Sequence, residues 1–173
     1  MSVILIGYRG SGKTTVGRLL AGRLGKKFVD ADDLIVERAG QSIREIFSAG
    51  GEQAFRTLEI EVISQLAKEP DAVIALGGGA VTREENRKAL AGHKIVYLHC
   101  AAPELYRRIR SDPATSDNRP SLTALGGGIE EIEALLRQRE PIYKAVMTEA
   151  IDVTGLSVEQ VVDRIASMIG GVK

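Results

Sequence analysis

The sequence predicts an α/β fold in three layers, a five-stranded parallel sheet flanked by helices. Three observations predict it. Short apolar runs alternate with longer stretches of helical period, which is how a parallel sheet connected by helices reads in sequence. The first run leads directly into a glycine-rich turn and then a helical segment. The length, 173 residues, suits a single domain spanning 1–173, because a chain of this size buries roughly 70% of its unfolded surface and needs neither disulfides nor metal to fold.

Taken in order, strands are expected at Val3 to Ile6, Phe28 to Asp30, Ala72 to Leu76, Lys94 to His99 and Ile151 to Val153. About eight helical segments fit around them. Three helix starts are marked by a hydroxyl residue followed three positions later by Glu or Gln, the signature of a capping box: Ser42 with Glu45, Thr82 with Glu85, and Ser157 with Gln160. Leu19, Leu20, Ile60, Ile63, Leu66, Val161 and Ile165 are expected in the core. The stretch Ser111 to Gly128 differs, with few large apolar residues, two prolines and a Gly126-Gly127-Gly128 run before Ile129-Glu130-Glu131 restarts a helix. A loop of that length in a compact domain is expected to be a mobile surface excursion with a function.

Hydrophobic residues make up 44% and charged residues 27% of the chain, a soluble globular composition that excludes overall disorder. Lys plus Arg and Asp plus Glu number 23 each, so no net field draws the protein to nucleic acid or to an anionic bilayer, and neither is expected as a partner. Any anion must be gripped locally. The single cysteine, Cys100, has no partner for a disulfide and reads as a small apolar residue in a reducing compartment. Met1-Ser2 runs straight into Val3 without a basic leader, and no apolar run approaches the ~20 residues of a membrane span. A cytoplasmic monomer is expected. His93 and His99 have no motif around them and read as ordinary strand or loop residues.

Gly7-Tyr8-Arg9-Gly10-Ser11-Gly12-Lys13-Thr14 satisfies G-x-x-x-x-G-K-[ST], and it lies after an apolar strand and before a helix, where that motif must lie. The glycines let backbone N–H groups curl round phosphate oxygens, and the helix N-terminus adds partial positive charge. Lys13 is expected to reach the β- and γ-phosphates and Thr14 to hold Mg²⁺. A dinucleotide fold is disfavoured, because Gly10-Ser11-Gly12 continues into Lys13-Thr14-Thr15 without a third glycine. The chain is therefore expected to bind a nucleoside triphosphate with Mg²⁺ as a P-loop NTPase.

The P-loop alone does not separate GTPases, motors and small kinases. No Asn-Lys-x-Asp sequence is present for guanine, and the third apolar run ends in Gly77-Gly78-Gly79 where many ATPases place an acid. The acids stand instead at the end of the second run, in Asp30-Ala31-Asp32-Asp33. In an open α/β sheet that edge is where ligands gather, so Asp30 and Asp32 can reach Mg²⁺, its waters or a substrate hydroxyl, whereas Asp33 reads as a helix cap. Arg56, Arg119 and Arg139 stand out by their surroundings.

Gly-Ser-Gly-Lys-Thr-Thr, Phe-Val-Asp-Ala-Asp, Ser-Ile-Arg-Glu-Ile-Phe, Gly-Glu-Gln-Ala-Phe-Arg, Leu-Gly-Gly-Gly-Ala-Val, Arg-Pro and Arg-Glu-Pro-Ile-Tyr follow one another between Val3 and about Tyr143. This ordered set resembles the shikimate kinase family. The resemblance implies a nucleoside-monophosphate-kinase-like architecture with a mobile lid, and ATP-dependent phosphorylation of the 3-hydroxyl of shikimate to shikimate 3-phosphate, on the route to chorismate and aromatic amino acids. It implies an acceptor-binding segment at about 31–60 and a lid at about 111–126.

Carried onto this chain, Asp32 matches the carboxylate at the reacting hydroxyl, and Arg56 with Arg139 the pair that holds the substrate carboxylate. Gly78, within Gly77-Gly78-Gly79, matches the backbone position against the substrate. Gly10, Ser11, Gly12, Lys13, Thr14 and Thr15 fall on the phosphate loop, Arg119 on the lid arginine, and Arg108 on the arginine near adenine, with Arg107 as the other member of the doublet. Lys13, Asp32 and Arg119 take the catalytic positions. Thr14 and, through water, Asp30 match the Mg²⁺ site.

The chemistry of the residues agrees with this: a carboxylated ring with hydroxyls wants a guanidinium fork at one end and an acid at the other. Two departures lie in the lid, where Ser121-Leu122 follows Pro120 in place of two leucines and the excursion is longer than in compact members. The alternatives are a kinase for another small hydroxy acid such as gluconate, a nucleoside monophosphate kinase, and a nucleotide-binding module without catalysis.

Overall fold

A computed structural model of the chain describes residues 1–112 and 126–170. Five strands, β1 (Val3–Ile6), β2 (Lys27–Asp30), β3 (Ala72–Ala75), β4 (Lys94–His99) and β5 (Glu149–Asp152), form one parallel sheet in the order β2-β3-β1-β4-β5. The helices are α1 (Lys13–Leu24), α2 (Ala31–Ala39), α3 (Ile43–Leu66), α4 (Glu84–Ala89), α5 (Ala102–Ser111), α6 (Ile129–Val146) and α7 (Val158–Gly170), with a 3-10 turn at Ala80–Thr82. Among the described residues no helix is long and apolar enough to cross a membrane.

The central strands are short and apolar because both faces are covered. Along β1, Ile4 and Ile6 pack into one core with residues of α2, α3 and α6, while Val3 and Leu5 pack into another with α1, α5 and α7. Period-two alternation thus divides one strand between two layers. Sheet order reverses at β1, which sends β2 to one side and β4 to the other, and that switch point opens a crevice at the strands' carboxyl ends. Gly7, Asp30 and Leu76-Gly77 all sit at this edge.

Two interruptions shape the helices that flank the crevice. α3 is broken at Gly51, whose φ of 70° and ψ of −172° no ordinary residue adopts easily, so the half carrying Phe55, Arg56 and Glu59 takes its own direction. In α6, Pro141 removes the hydrogen bond to the Arg137 carbonyl one turn back, just beyond Arg139.

Several local expectations hold and several do not. The boxes at Ser42 with Glu45 and at Ser157 with Gln160 form as reciprocal hydrogen bonds. Thr82 caps nothing: its hydroxyl donates to the Gly79 carbonyl at 2.6 Å inside the 3-10 turn, and α4 starts at Glu84 behind Arg83. Asp33 lies in the first turn of α2, and the cap is Asp30, whose carboxylate accepts from Asp32 N at 3.0 Å. Leu19 is 43% exposed, because the buried stripe of α1 is Val16, Gly17, Leu20 and Ala21 and Leu19 falls outside it. Ile60 is half-buried, while Leu20, Ile63, Leu66, Val161 and Ile165 are in the core. β2 begins one residue earlier than expected, β3 ends one earlier, and β5 is displaced toward its N-terminus. Cys100 is buried and free.

Ser42→Ala removes the hydroxyl that accepts from Glu45 N, leaving only the backbone half of the box that starts α3, and should lower the unfolding free energy by about 1 kcal/mol. Urea denaturation of the two proteins measures it, and an unchanged midpoint would show that tertiary packing alone fixes the start of α3.

Candidate active site

The loop from Gly7 to Gly12 is shaped by glycines at φ of 150°, 85° and 94° for Gly7, Gly10 and Gly12. A Cβ on Gly7 would stand 2.7 Å from the Leu98 carbonyl oxygen, so the loop passes too close to β4 for any side chain there. α1 starts at Lys13 with Gly12 in the left-handed region and no side-chain cap, and its first turn holds no acid. Acids do occupy the first turns of α2, α3, α4, α5, α6 and α7. The N–H groups and partial positive charge at this one end are left for an outside anion. Lys13 Nζ donates to the carbonyls of Gly7 and Tyr8 at 2.8 and 2.9 Å, which holds the ammonium across the loop mouth.

At the end of β2, the Thr14 hydroxyl donates to Asp30 Oδ2 at 2.7 Å while Oδ1 of the same carboxylate caps α2. Asp30 is thereby fixed at both oxygens. A hydroxyl beside a carboxylate is a hard-oxygen pair suited to Mg²⁺. Among the described residues no group of three or more His, Cys, Asp or Glu side chains gathers to hold a metal, so such an ion would draw its remaining ligands from phosphate and water. Burial and the neighbouring Asp30 push the Asp33 carboxyl upward, with Arg18 opposing.

The turn after β3 is where the remaining groups meet. A Cβ on Gly77 would lie 3.0 Å from Asp32 Oδ1 and 3.3 Å from Glu59 Oε2, and one on Gly79 would lie 2.4 Å from Arg56 Nη2. On Gly78 it would lie 3.5 Å from Arg139 Nη1. None of the three has positive φ. Gly77 and Gly79 are thus set by the side chains packed on them and not by backbone twist, while Gly78 meets its neighbours at ordinary contact distance.

Arg56 and Arg139 are buried. Arg56 Nη1 donates to Glu59 Oε1 at 2.6 Å and Nε reaches Glu52 at 3.3 Å. Burial raises the Glu59 carboxyl, and Arg56, Arg139 and Arg83 oppose it. The Arg139 guanidinium lies over the Tyr8 ring, 5.8 Å from its centroid. The Tyr143 hydroxyl donates to the Gly78 carbonyl, and burial pushes its pKa up to about 12, with the charge of Arg139 opposing the rise.

An open cavity of about 950 Å³ runs over the loop, lined by Gly10, Gly12, Lys13, Thr14, Thr15, Asp30, Asp32 and Arg108 among others. A narrower recess lined by Arg56, Glu59, Arg139 and Gly77 to Gly79 shares Arg9, Asp32, Gly77 and Gly78 with it, so the two are continuous. Arg108 faces the loop, with Nη1 3.5 Å from the Gly10 carbonyl, whereas Arg107 is exposed on Glu104. Both arginines donate to Glu104, holding its carboxyl down at about 2. Ser11 is buried below the loop. Arg119 and most of the expected lid at 111–126 lie outside the described residues.

The structure thus brings Lys13, Thr14, Asp30, Asp32, Arg56, Gly77 to Gly79, Arg108 and Arg139 to one edge. It adds residues that the sequence reading did not single out: Arg9, shared by both cavities; Glu59, which braces Arg56; Tyr8, whose ring lies beneath Arg139; and Tyr143, which holds the Gly78 carbonyl. Of these Glu59 alone carried a signal, its spacing three residues beyond Arg56 on one helix face.

The family model described as "Shikimate kinase" matches residues 9–170. The shikimate kinase of Thermobifida fusca is 42% identical over 163 residues, covering 94% of this chain and 91% of its own. That of Mycobacterium tuberculosis is 41% identical, over 96% and 92%. Among solved structures, shikimate kinase from Acinetobacter baumannii in complex with shikimate superposes with a TM-score of 0.91 at 34% identity, covering 99% of this chain and 94% of that one.

Arg56→Met leaves Glu59 buried without its closest partner and lifts its folded-state pKa still further above the unfolded value. Stability from such a group is complete below the unfolded carboxylate pKa and is lost as pH rises through the folded one. The variant should therefore be destabilised by about 3 kcal/mol at neutral pH and by less as acid protonates Glu59. Urea unfolding of both proteins at pH 7 and pH 5 tests this, and a pH-independent difference would contradict it.

Proposed function

The chain belongs to the shikimate kinase family, and from that premise we propose which of its residues carry the reaction. It is an ATP-using phosphotransferase that converts shikimate to shikimate 3-phosphate, a step toward chorismate and aromatic amino acids. The shikimate 3-hydroxyl oxygen forms the new bond to the γ-phosphorus, the bond to the bridging oxygen of ADP breaks, and the hydroxyl proton leaves. Phosphoryl transfer passes through a loose transition state, so positioning and charge neutralisation matter more than deprotonating the nucleophile.

The observation that carries the assignment is the convergence of Asp32, Arg56 and Arg139 on Gly77 to Gly79, continuous with the phosphate loop. Arg56 and Arg139 hold the acceptor carboxylate, and Gly77 to Gly79 give the ring access to backbone. Asp32 orients the hydroxyl first and takes its proton late. Lys13 and the loop from Gly10 to Thr15 hold the phosphates, and Arg108 lies near the adenine. Thr14 and, through water, Asp30 hold Mg²⁺. Bound there with ATP, the ion supplies charge neutralisation at the β- and γ-phosphate oxygens. Segment 31–60 receives the acceptor. Arg119, on a lid at 111–126, closes on the phosphates and excludes water that would hydrolyse ATP.

The recess suits this acceptor better than a nucleotide. Its ionisable lining is Arg9, Asp32, Arg56, Glu59 and Arg139, three guanidiniums against two carboxylates. One formal positive charge remains to meet one carboxylate. A nucleoside monophosphate would bring close to two negative charges and a base, and among the described residues the aromatic side chains lining the recess are Phe47 and Phe55.

ADP release measured with shikimate, gluconate and nucleoside monophosphates should show turnover with shikimate. Turnover with a nucleotide acceptor only, or with none, would defeat the reading. Asp32→Asn should lower kcat by about 10²-fold or more while ATP affinity stays within about twofold, and near-normal turnover would remove Asp32 from the reaction. Arg119→Ala should reduce kcat more than it weakens ATP binding, as steady-state kinetics beside calorimetry would reveal.

A further inference from the structure

Resting on the acceptor reading above, we infer that Tyr143 is a positioning residue for the shikimate carboxylate, its hydroxyl holding the Gly78 peptide where the Arg139 guanidinium meets it. A phenol donates one hydrogen bond and accepts others. Here it donates to the Gly78 carbonyl, and the Arg139 guanidinium lies against the same glycine, with Nη1 3.5 Å from where a Cβ on Gly78 would stand. One oxygen therefore sets the turn after β3 at the point where the arginine on α6 meets it. Gly78 and Arg139 are 61 residues apart in the chain and both line the recess.

The tie is stiff at its base and needed at its tip. Tyr143 is fully buried, and its ring packs on Tyr97 with centroids 4.9 Å apart, so the hydroxyl has no room to swing. Gly78, by contrast, stands between two other glycines and has no side chain of its own to anchor it. Holding its carbonyl toward Tyr143 fixes the plane of the next peptide and turns the Gly79 N–H the other way. The Arg139 guanidinium in turn lies over the Tyr8 ring, which comes from the phosphate loop. A tyrosine that served packing alone would require the ring and not the oxygen.

Tyr143→Phe keeps the ring and removes the oxygen. Steady-state kinetics and calorimetry on the full chain should show KM and Kd for shikimate raised about tenfold, with KM for ATP unchanged within about twofold and kcat reduced less than KM is raised. A shikimate KM within twofold of the wild type, or ATP and shikimate constants weakening together, would overturn the inference. If the wild type itself fails to turn over shikimate, the functional reading falls and this one with it; if the wild type is active and Y143F matches it, only this one falls. Should Y143F not fold, NMR of the native protein decides: a slowly exchanging tyrosine hydroxyl proton that shifts with shikimate but not with a non-hydrolysable ATP analogue supports the inference, and its absence or indifference overturns it.

Discussion

The site depends on three consecutive positions without side chains at the end of β3. Asp32 comes from α2, Arg56 and Glu59 from one face of the second half of α3, and Arg139 from α6; Asp32, Glu59 and Arg56 crowd the space that Cβ atoms on Gly77 and Gly79 would occupy, and Arg139 lies in contact distance of Gly78. The glycines lose more conformational entropy on folding than any alternative residue. That loss is offset by the packing of charged groups whose separation would otherwise be set by side-chain bulk.

Electrostatics is organised locally because the chain as a whole is neutral. An uncapped, acid-free helix start is a standing site for phosphate, and the other helix starts are closed by their own acids. The Arg56–Glu59 pair follows different logic. Two charges removed from water lose solvation that their attraction roughly restores, so the pair contributes little net stability. What it does is aim: with Nη1 committed to Glu59, the guanidinium plane is set and its remaining edge lies along Gly79. Glu104 arranges Arg108 in the same way, with bonds to both members of the arginine doublet and only Arg108 facing the loop.

The features legible in the sequence were those whose shape is dictated by neighbours in the chain. The phosphate loop, the Ser42 and Ser157 boxes and the short apolar runs such as Val3 to Ile6 are of this kind, and the sheet followed from the alternation of those runs with helical stretches. The misreadings share a cause, which is competition between two local options. Thr82 had a glycine carbonyl three residues back as well as an N–H ahead, and the turn won. Leu19 lay one step outside the stripe set by Val16 and Leu20. Asp30 and Asp33 both fitted a cap, and strand geometry placed Asp30 at the boundary. Glu59 and Tyr143 were hidden for another reason: an acid on a helix reads as solvated and a tyrosine near a helix end reads as core, until the fold shows what each one touches. Arg56 and Arg139 stood out by their surroundings, but a lone arginine reads as a solvated surface charge, and their roles became legible only in combination with the family pattern.

Charge balance explains why so crowded a recess can remain selective. A buried guanidinium pair alone would attract any anion, phosphate included, and phosphate is held a few residues away. Glu59 removes one unit of that attraction from inside, and Asp32 removes another at the boundary between the two cavities. The excess left over is matched by a monoanion with hydroxyls to satisfy the acids, whereas a more highly charged phosphate would meet two carboxylates at close range. On the proposed assignment, the same acids that weaken general anion binding separate an acceptor half from a nucleotide half of one continuous cavity, and Asp32, which lines both, stands at their boundary.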